Sequence, residues 1–219
     1  MTTKVEEITM FSADPGTKNF AITVLKGRCI SEITYKDIVV DGKKHKRKLV
    51  SKRLEIEILG TGMLAHDKLL YNVVEAQAEL MAFEENLTKL LHPFDIGIVY
   101  MERFQSRGNG GSTIEAINMG LGRITSMFNH LGPKYPRFIT AATWKNRANK
   151  KFDLKHEYKN QGLTSKAKTY EGPTEHQLDS TLIGVYGLHQ HFGIDDFEIF
   201  DTESYFDTFM SMFKDCPKL

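Results

Sequence analysis

Cysteine is nearly missing from this chain. Cys29 and Cys216 are two isolated thiols without the spacing of a zinc site, so structural zinc is excluded and a reducing compartment, the cytoplasm, is expected. Long apolar runs are missing too, and none approaches the roughly 20 residues that span a bilayer. The opening Met1-Thr-Thr-Lys-Val-Glu-Glu7 has no signal-peptide character. Internal repeats and low-complexity tracts are absent. Tryptophan occurs once, as Trp144. Excess charge of one sign is lacking as well, and a net charge of +1 suggests no nucleic-acid partner by itself.

What is present fits one soluble α/β domain over residues 1–219, with 41% hydrophobic and 26% charged residues. The charges are segregated. Lys43-Lys-His-Lys-Arg-Lys48, with Lys52 and Arg53, forms a basic arm near 41–53. A second basic stretch runs from Lys134 to Lys168 and includes a loop near 150–173 with little apolar periodicity, read as mobile. The C-terminal segment 194–219 is acidic, from Asp195 and Asp196 to Asp215. Such segregation suits a polyanion-binding face with an acidic back or flap; the plainer reading is a solvated charged surface.

Ile8–Phe11 reads as a central strand ending on Asp14, where Pro15-Gly16 discourages a ladder. Asn19–Leu25, closed by Gly27, reads as a second strand, and Cys29–Val40 as a third; short links favour an antiparallel meander. Asp41-Gly42 and the basic block follow as a turn or extended arm, and Leu54–Met63 is ambiguous. A helical stripe covers Asp67–Leu91, and Ile96–Met101 is a buried strand that delivers Glu102. Ser112 and Glu115 suggest a capping box for the next helix. Its seam of Ile114, Ile117, Leu121, Ile124, Phe128 and Leu131 serves either the core or a two-fold interface. Arg137–Thr140 is a short strand, Ala141–Asn146 a short helix or turn, Glu175–Phe192 a helix, and Glu203–Phe213 a last amphipathic segment.

Four polar groups can converge in this order of elements. Asp14 and Glu102 each end a strand, and His176 and Asp179 share one face of a helix. An oxygen-rich site with one imidazole suits Mg²⁺, with Mn²⁺ tolerating the nitrogen better. Two ions about 3.5–4 Å apart would support phosphodiester hydrolysis. His176 is otherwise a general base or water-orienting group. Each residue also has a plainer reading: Asp14 as a turn cap, Glu102 and His176 as surface groups, Asp179 as the partner of a lysine from the basic loop.

Taken together, Asp14-Pro-Gly-Thr17, Glu102-Arg-Phe-Gln-Ser-Arg-Gly-Asn109 and His176-Gln-Leu-Asp179 resemble RuvC-type Holliday junction resolvases of the RNase H-like superfamily, over most of the chain from Ile8 to about His191. The resemblance implies a mixed five-stranded sheet, three antiparallel meander strands then parallel strands, flanked by helices. It implies catalysis by Asp14, Glu102, His176 and Asp179 as ligands of two Mg²⁺ ions, and a homodimer nicking four-way DNA in recombination and repair. Gln105 stands where these enzymes usually carry a junction-stacking Phe, and Phe104 is its neighbour. A phage or viral source, and with it a host-cell cytoplasm, suits the added segments Lys43–Arg53 and Phe152–Pro173.

Phosphate contacts are expected from Lys145, Arg147, Lys150 and Lys151, with Arg107 and Asn109 from the loop after Glu102, while Phe104 of that loop is expected to meet the DNA by inserting at the crossover. Lys145 is the first candidate to hold the scissile phosphate, and Trp144 is either core or a base-stacking platform. The alternative on the same fold is a broader flap, fork or Y-structure nuclease. An actin- or hexokinase-like ATPase shares Asp-x-Gly-Thr but needs two lobes, more than 219 residues supply. A YqgF-like RNA-processing nuclease shares Asp-Pro-Gly-Thr-Lys but is typically much shorter. A non-catalytic junction binder would lack some of the four site residues.

Overall fold

Apolar residues cluster in the second half of the first strand, and that half is where the core begins. The computed structural model describes residues 2–16, 19–65, 76–103, 111–131, 136–149, 174–194 and 219. Strand β1 spans Thr2–Pro15; its first residues are exposed, whereas Met10, Phe11, Ser12 and Ala13 are buried. It lies between β2 (Asn19–Val40) and β4 (Ile96–Glu102). The sheet order is β3-β2-β1-β4-β5, with β3 at Lys43–Ala65 and β5 at Arg137–Ile139. β1, β2 and β3 pair antiparallel, and β4 and β5 continue in parallel. This is the mixed five-stranded sheet expected.

The meander departs from its expected boundaries. Gly27 ends no strand: β2 runs straight through it, so the second and third expected strands are one. A Cβ there would lie 2.5 Å from Leu188 Cδ2, so the glycine makes room for a helix rather than a turn. The reversal falls at Asp41-Gly42, with φ of 51° and 74°, the left-handed pair of a tight hairpin. The basic block and the ambiguous 54–63 stretch together form β3.

Helices cover both faces. Helix α1 (Ala76–Leu91) and α2 (Gly111–Leu131) lie on one side, where Phe83, Leu87, Ile124 and Phe128 pack on Phe11, Ile22 and Val99. Helix α3 (Ala141–Asn149) and α4 (Glu175–Phe192) lie on the other, where Trp144, Leu178, Leu182 and Leu188 pack on Met10, Leu25 and Tyr100. The expected helix start near Asp67 and the segment Glu203–Phe213 lie outside the described residues, as does the loop near 150–173. Helix α2 is described from Gly111 onward, and the side chains of Ser112 and Glu115, expected to form a capping box, lie outside the described residues. Ile124 and Phe128 of its seam are buried within the chain, while Leu131 is exposed. Leu219 donates its backbone N–H to Thr61 O at 3.1 Å and covers Gly60 and Gly62 of β3. Among the described residues, no helix is long and apolar enough to cross a membrane.

Candidate active site

Parallel pairing of β1 with β4 decides where the carboxylates meet. Ala13 pairs with Met101, so the next residues, Asp14 and Glu102, emerge level at the carboxyl ends of adjacent strands. Both strands owe their central place to apolar residues, Met10, Phe11, Ala13 and Val99–Met101, that are buried on both faces.

Helix α4 brings the other two groups. Thr174 caps it: its hydroxyl accepts from Gln177 N, and Gln177 Oε1 accepts from Thr174 N at 3.0 Å, a reciprocal capping box. The Thr-x-x-Gln spacing that encodes this box was legible and overlooked. With the helix so started, His176 Nδ1 meets Asp14 Oδ2 at 2.8 Å. A carboxylate only accepts, so the imidazole donates. That bond raises the His176 pKa; burial opposes the rise, and the negative charge of Asp14 adds to it.

Asp179 is 5% exposed and takes a 2.8 Å bond from Lys145 Nζ. For Lys145 burial is the largest influence and disfavours the charge. The combined pull of Asp179, Glu102 and Asp14 outweighs it, so the pKa is raised and the ammonium is kept. The plainer reading of Asp179 as a lysine partner is thus realised, with the lysine on α3 rather than in the basic loop.

Glu102 is strongly perturbed. Burial first, then the charge of Asp14, with Asp179 adding, pushes its carboxyl up to about 7. Trp144 Nε1 donates to Glu102 Oε2 at 2.8 Å and, with Lys145, pulls the other way. Trp144 is fully buried, which rules out stacking on a DNA base. Consecutive residues of α3 therefore serve two carboxylates, with Lys145 Nζ lying 4.8 Å from the Trp144 ring centroid.

Behind the carboxylates lies a hydroxyl cluster that the sequence reading missed. Thr23 Oγ1 is 2.7 Å from Ser180 Oγ, 2.9 Å from Thr181 Oγ1 and 3.3 Å from Thr61 Oγ1, all buried. Ser180 and Thr181 also bond Gln177 O. These bonds tie the turn after Asp179 to β2 and β3.

Asp14, Glu102, His176, Asp179 and Lys145 are therefore brought together. Arg147 lies elsewhere, its guanidinium 5.6 Å from the Tyr186 ring centroid and its Nη1 buried without a partner among the described residues. Phe104, Arg107, Asn109, Lys150 and Lys151 lie outside the described residues. No three His, Cys, Asp or Glu side chains among the described residues are gathered tightly enough to hold a metal ion. The donors nonetheless suit a divalent cation: burial first, and then the charges of Asp14 and Asp179, favour the protonated form of Glu102, and a cation would replace that proton.

No protein-family model matches the chain, and no curated protein sequence matches it. Solved structures do. Thermus thermophilus RuvC, in complex with Holliday junction substrate, is 13% identical, with 85% of this chain and 96% of that one covered and a TM-score of 0.50. A second Thermus thermophilus RuvC structure is 16% identical, covering 85% and 97%, with a TM-score of 0.51. Fowlpox virus resolvase, with its substrate Holliday junction DNA, is 16% identical over 83% and 99%, at a TM-score of 0.37. The RuvC resemblance carried by Asp14, Glu102 and the His176–Asp179 pair thus holds at the level of the fold, and the chain has the RNase H-like fold of RuvC.

Proposed function

We propose that the protein is a metal-dependent endonuclease that resolves four-way DNA junctions by paired nicks, acting as a homodimer in recombination and repair. One observation carries the reading. Asp14 and Glu102 stand level at the ends of parallel neighbours, with Asp179 close enough to contribute to the elevated pKa of Glu102. Carboxyl groups held together against their own repulsion fit a site meant for cations.

Asp14, Glu102, Asp179 and His176 would hold Mg²⁺, with Mn²⁺ as a substitute. When bound, the ions would supply Lewis-acid stabilisation of the phosphate and activation of the attacking water. The chain's own groups do the rest. Glu102 would give up its proton to serve as a ligand. Lys145 has three donors and only one described acceptor, Asp179, so it can turn toward a non-bridging oxygen of the scissile phosphate. His176, donating to Asp14, would otherwise, when it does not ligate a cation, act as general base toward the attacking water or orient it. Trp144 holds the Glu102 carboxyl in one rotamer and closes the apolar side of the site to water.

The test offers a mobile four-way junction, a fork, a flap, a duplex and a single strand, each with Mg²⁺ and with Mn²⁺. Symmetric nicks confined to the junction are expected. Asp14→Asn and Asp179→Asn should still bind the junction but cut it at least about 10²-fold more slowly. Cleavage at the wild-type rate in either variant would end the metal-site reading. Equal cutting of forks and flaps would move the assignment to a broader branched-DNA nuclease.

A further inference from the structure

The β2–β3 hairpin is much longer than the sheet it belongs to. β1 stops pairing at Thr2↔Ile33, but β2 and β3 remain paired beyond it from Thr34↔Leu49 to Val40↔Lys43. Among the described residues those seven pairs form a two-stranded ribbon with no third strand, which at ~3.3 Å per residue reaches about 23 Å past the sheet. None of its residues is among those that form or pack on the two core clusters of the described residues. Isolated two-stranded ribbons are marginal in water, and this one exposes apolar surface as well: Tyr35 is 63% and Val39 68% accessible, with Val40 and Leu49 also exposed.

Its charge is just as uneven. Lys36, Lys43, Lys44, Lys46, Arg47 and Lys48 face only Asp37 and Asp41, a net of +4; since the whole chain is +1, everything outside the ribbon sums to −3. Strand alternation places Lys44, Lys46 and Lys48 on one face and Lys43, His45 and Arg47 on the other. Lysines on an edge strand also guard against aggregation, but one or two would suffice, and here both faces are cationic. Two such ribbons would repel each other, which disfavours a second copy as the occupant. A duplex groove accepts a two-stranded ribbon and offers phosphates along both walls.

We propose that the Thr34–Leu49 ribbon is an arm that grips duplex DNA away from the cleavage site, entering a groove of one arm of the branched substrate. This rests on the nuclease reading for its substrate, not for its contact chemistry. The arm is remote from the chemistry. Asp14 pairs with Ala21, and Thr34 lies thirteen residue steps further along β2, about 43 Å of strand. At about 3.4 Å per base pair this corresponds to about 13 base pairs.

The experiment measures junction affinity without metal, in EDTA, for junctions with arms of about 8 and about 25 base pairs over a range of salt. Wild type should bind the long-armed junction at least about tenfold more tightly. The triple variant Lys44→Gln, Lys46→Gln, Lys48→Gln should lose that gain, and its slope of log affinity against log salt should be smaller by about 2.7. The corresponding triple Arg variant should restore both. An arm-length gain that survives the Gln variant overturns the proposal. So does a Gln variant with unchanged DNA affinity but altered self-association, which would make the ribbon a protein interface. If wild type gains from long arms but never cuts a junction, the arm stands and the resolvase reading falls. If wild type cuts junctions with no gain from longer arms, the reverse holds.

Discussion

At the scale of the residue, Glu102 couples folding to pH. An unfolded chain releases this proton near 4.5, whereas the folded one keeps it to about 7. Between those values the unfolded state binds fewer protons, so stability falls as pH rises, and the loss persists above 7. Glu102→Gln removes the effect. After allowance for its partial exposure, the metal-free variant should melt about 2–4 °C above wild type at pH 8, and Mg²⁺ should raise the melting temperature of wild type only. A scan of melting temperature against pH, with and without Mg²⁺, checks both statements; an equal pH profile in the variant would contradict them. Lys145→Met tests the neighbouring pair. It leaves Asp179, 5% exposed, without its cation, and should cost about 1–3 kcal/mol in chemical denaturation.

At the scale of the element, α4 holds the site together. Its small residues let it lie close to the sheet: a Cβ on Gly184 would sit 2.0 Å from Leu25 Cδ1 and 2.6 Å from Ser12 Oγ. Gly184→Ala should therefore lift the helix, cost about 1–3 kcal/mol, and slow cleavage more than it weakens junction binding. Thr23→Val removes the hub of the hydroxyl cluster and leaves Ser180 and Thr181 with their bonds to Gln177 O but none to β2. A loss of about 1–3 kcal/mol is expected, read from urea midpoints. These contacts explain where the sequence was readable. Apolar spacing located α4, β4 and the last part of β1, because local periodicity reflects burial there. Gly27 misled, because its absent side chain answers to Leu188, 161 positions away, and not to a turn. The Trp144–Glu102 bond was equally hidden: it joins a strand end to a helix across 42 positions and follows no spacing rule.

At the scale of the whole molecule, the sheet carries the site at one end and the ribbon at the other. Order of elements was enough to anticipate the mixed sheet, since a meander followed by helix-linked strands admits few topologies. Paired nicks require two such chains. The buried Ile124 and Phe128 are spent within the chain, so any dimer must use surface beyond them. Sedimentation should report twice the chain mass, and a strict monomer at micromolar concentration would contradict the paired-nick reading.

Trp144 is the only tryptophan in 219 residues, and its indole N–H rests on Glu102. The molecule thus contains its own optical probe. Excited selectively, its emission reports the surroundings of Glu102 and of Lys145. In EDTA that emission should titrate with a midpoint near 7, and adding Mg²⁺ at constant pH should shift it. The loading of the centre becomes visible without label, substrate or turnover.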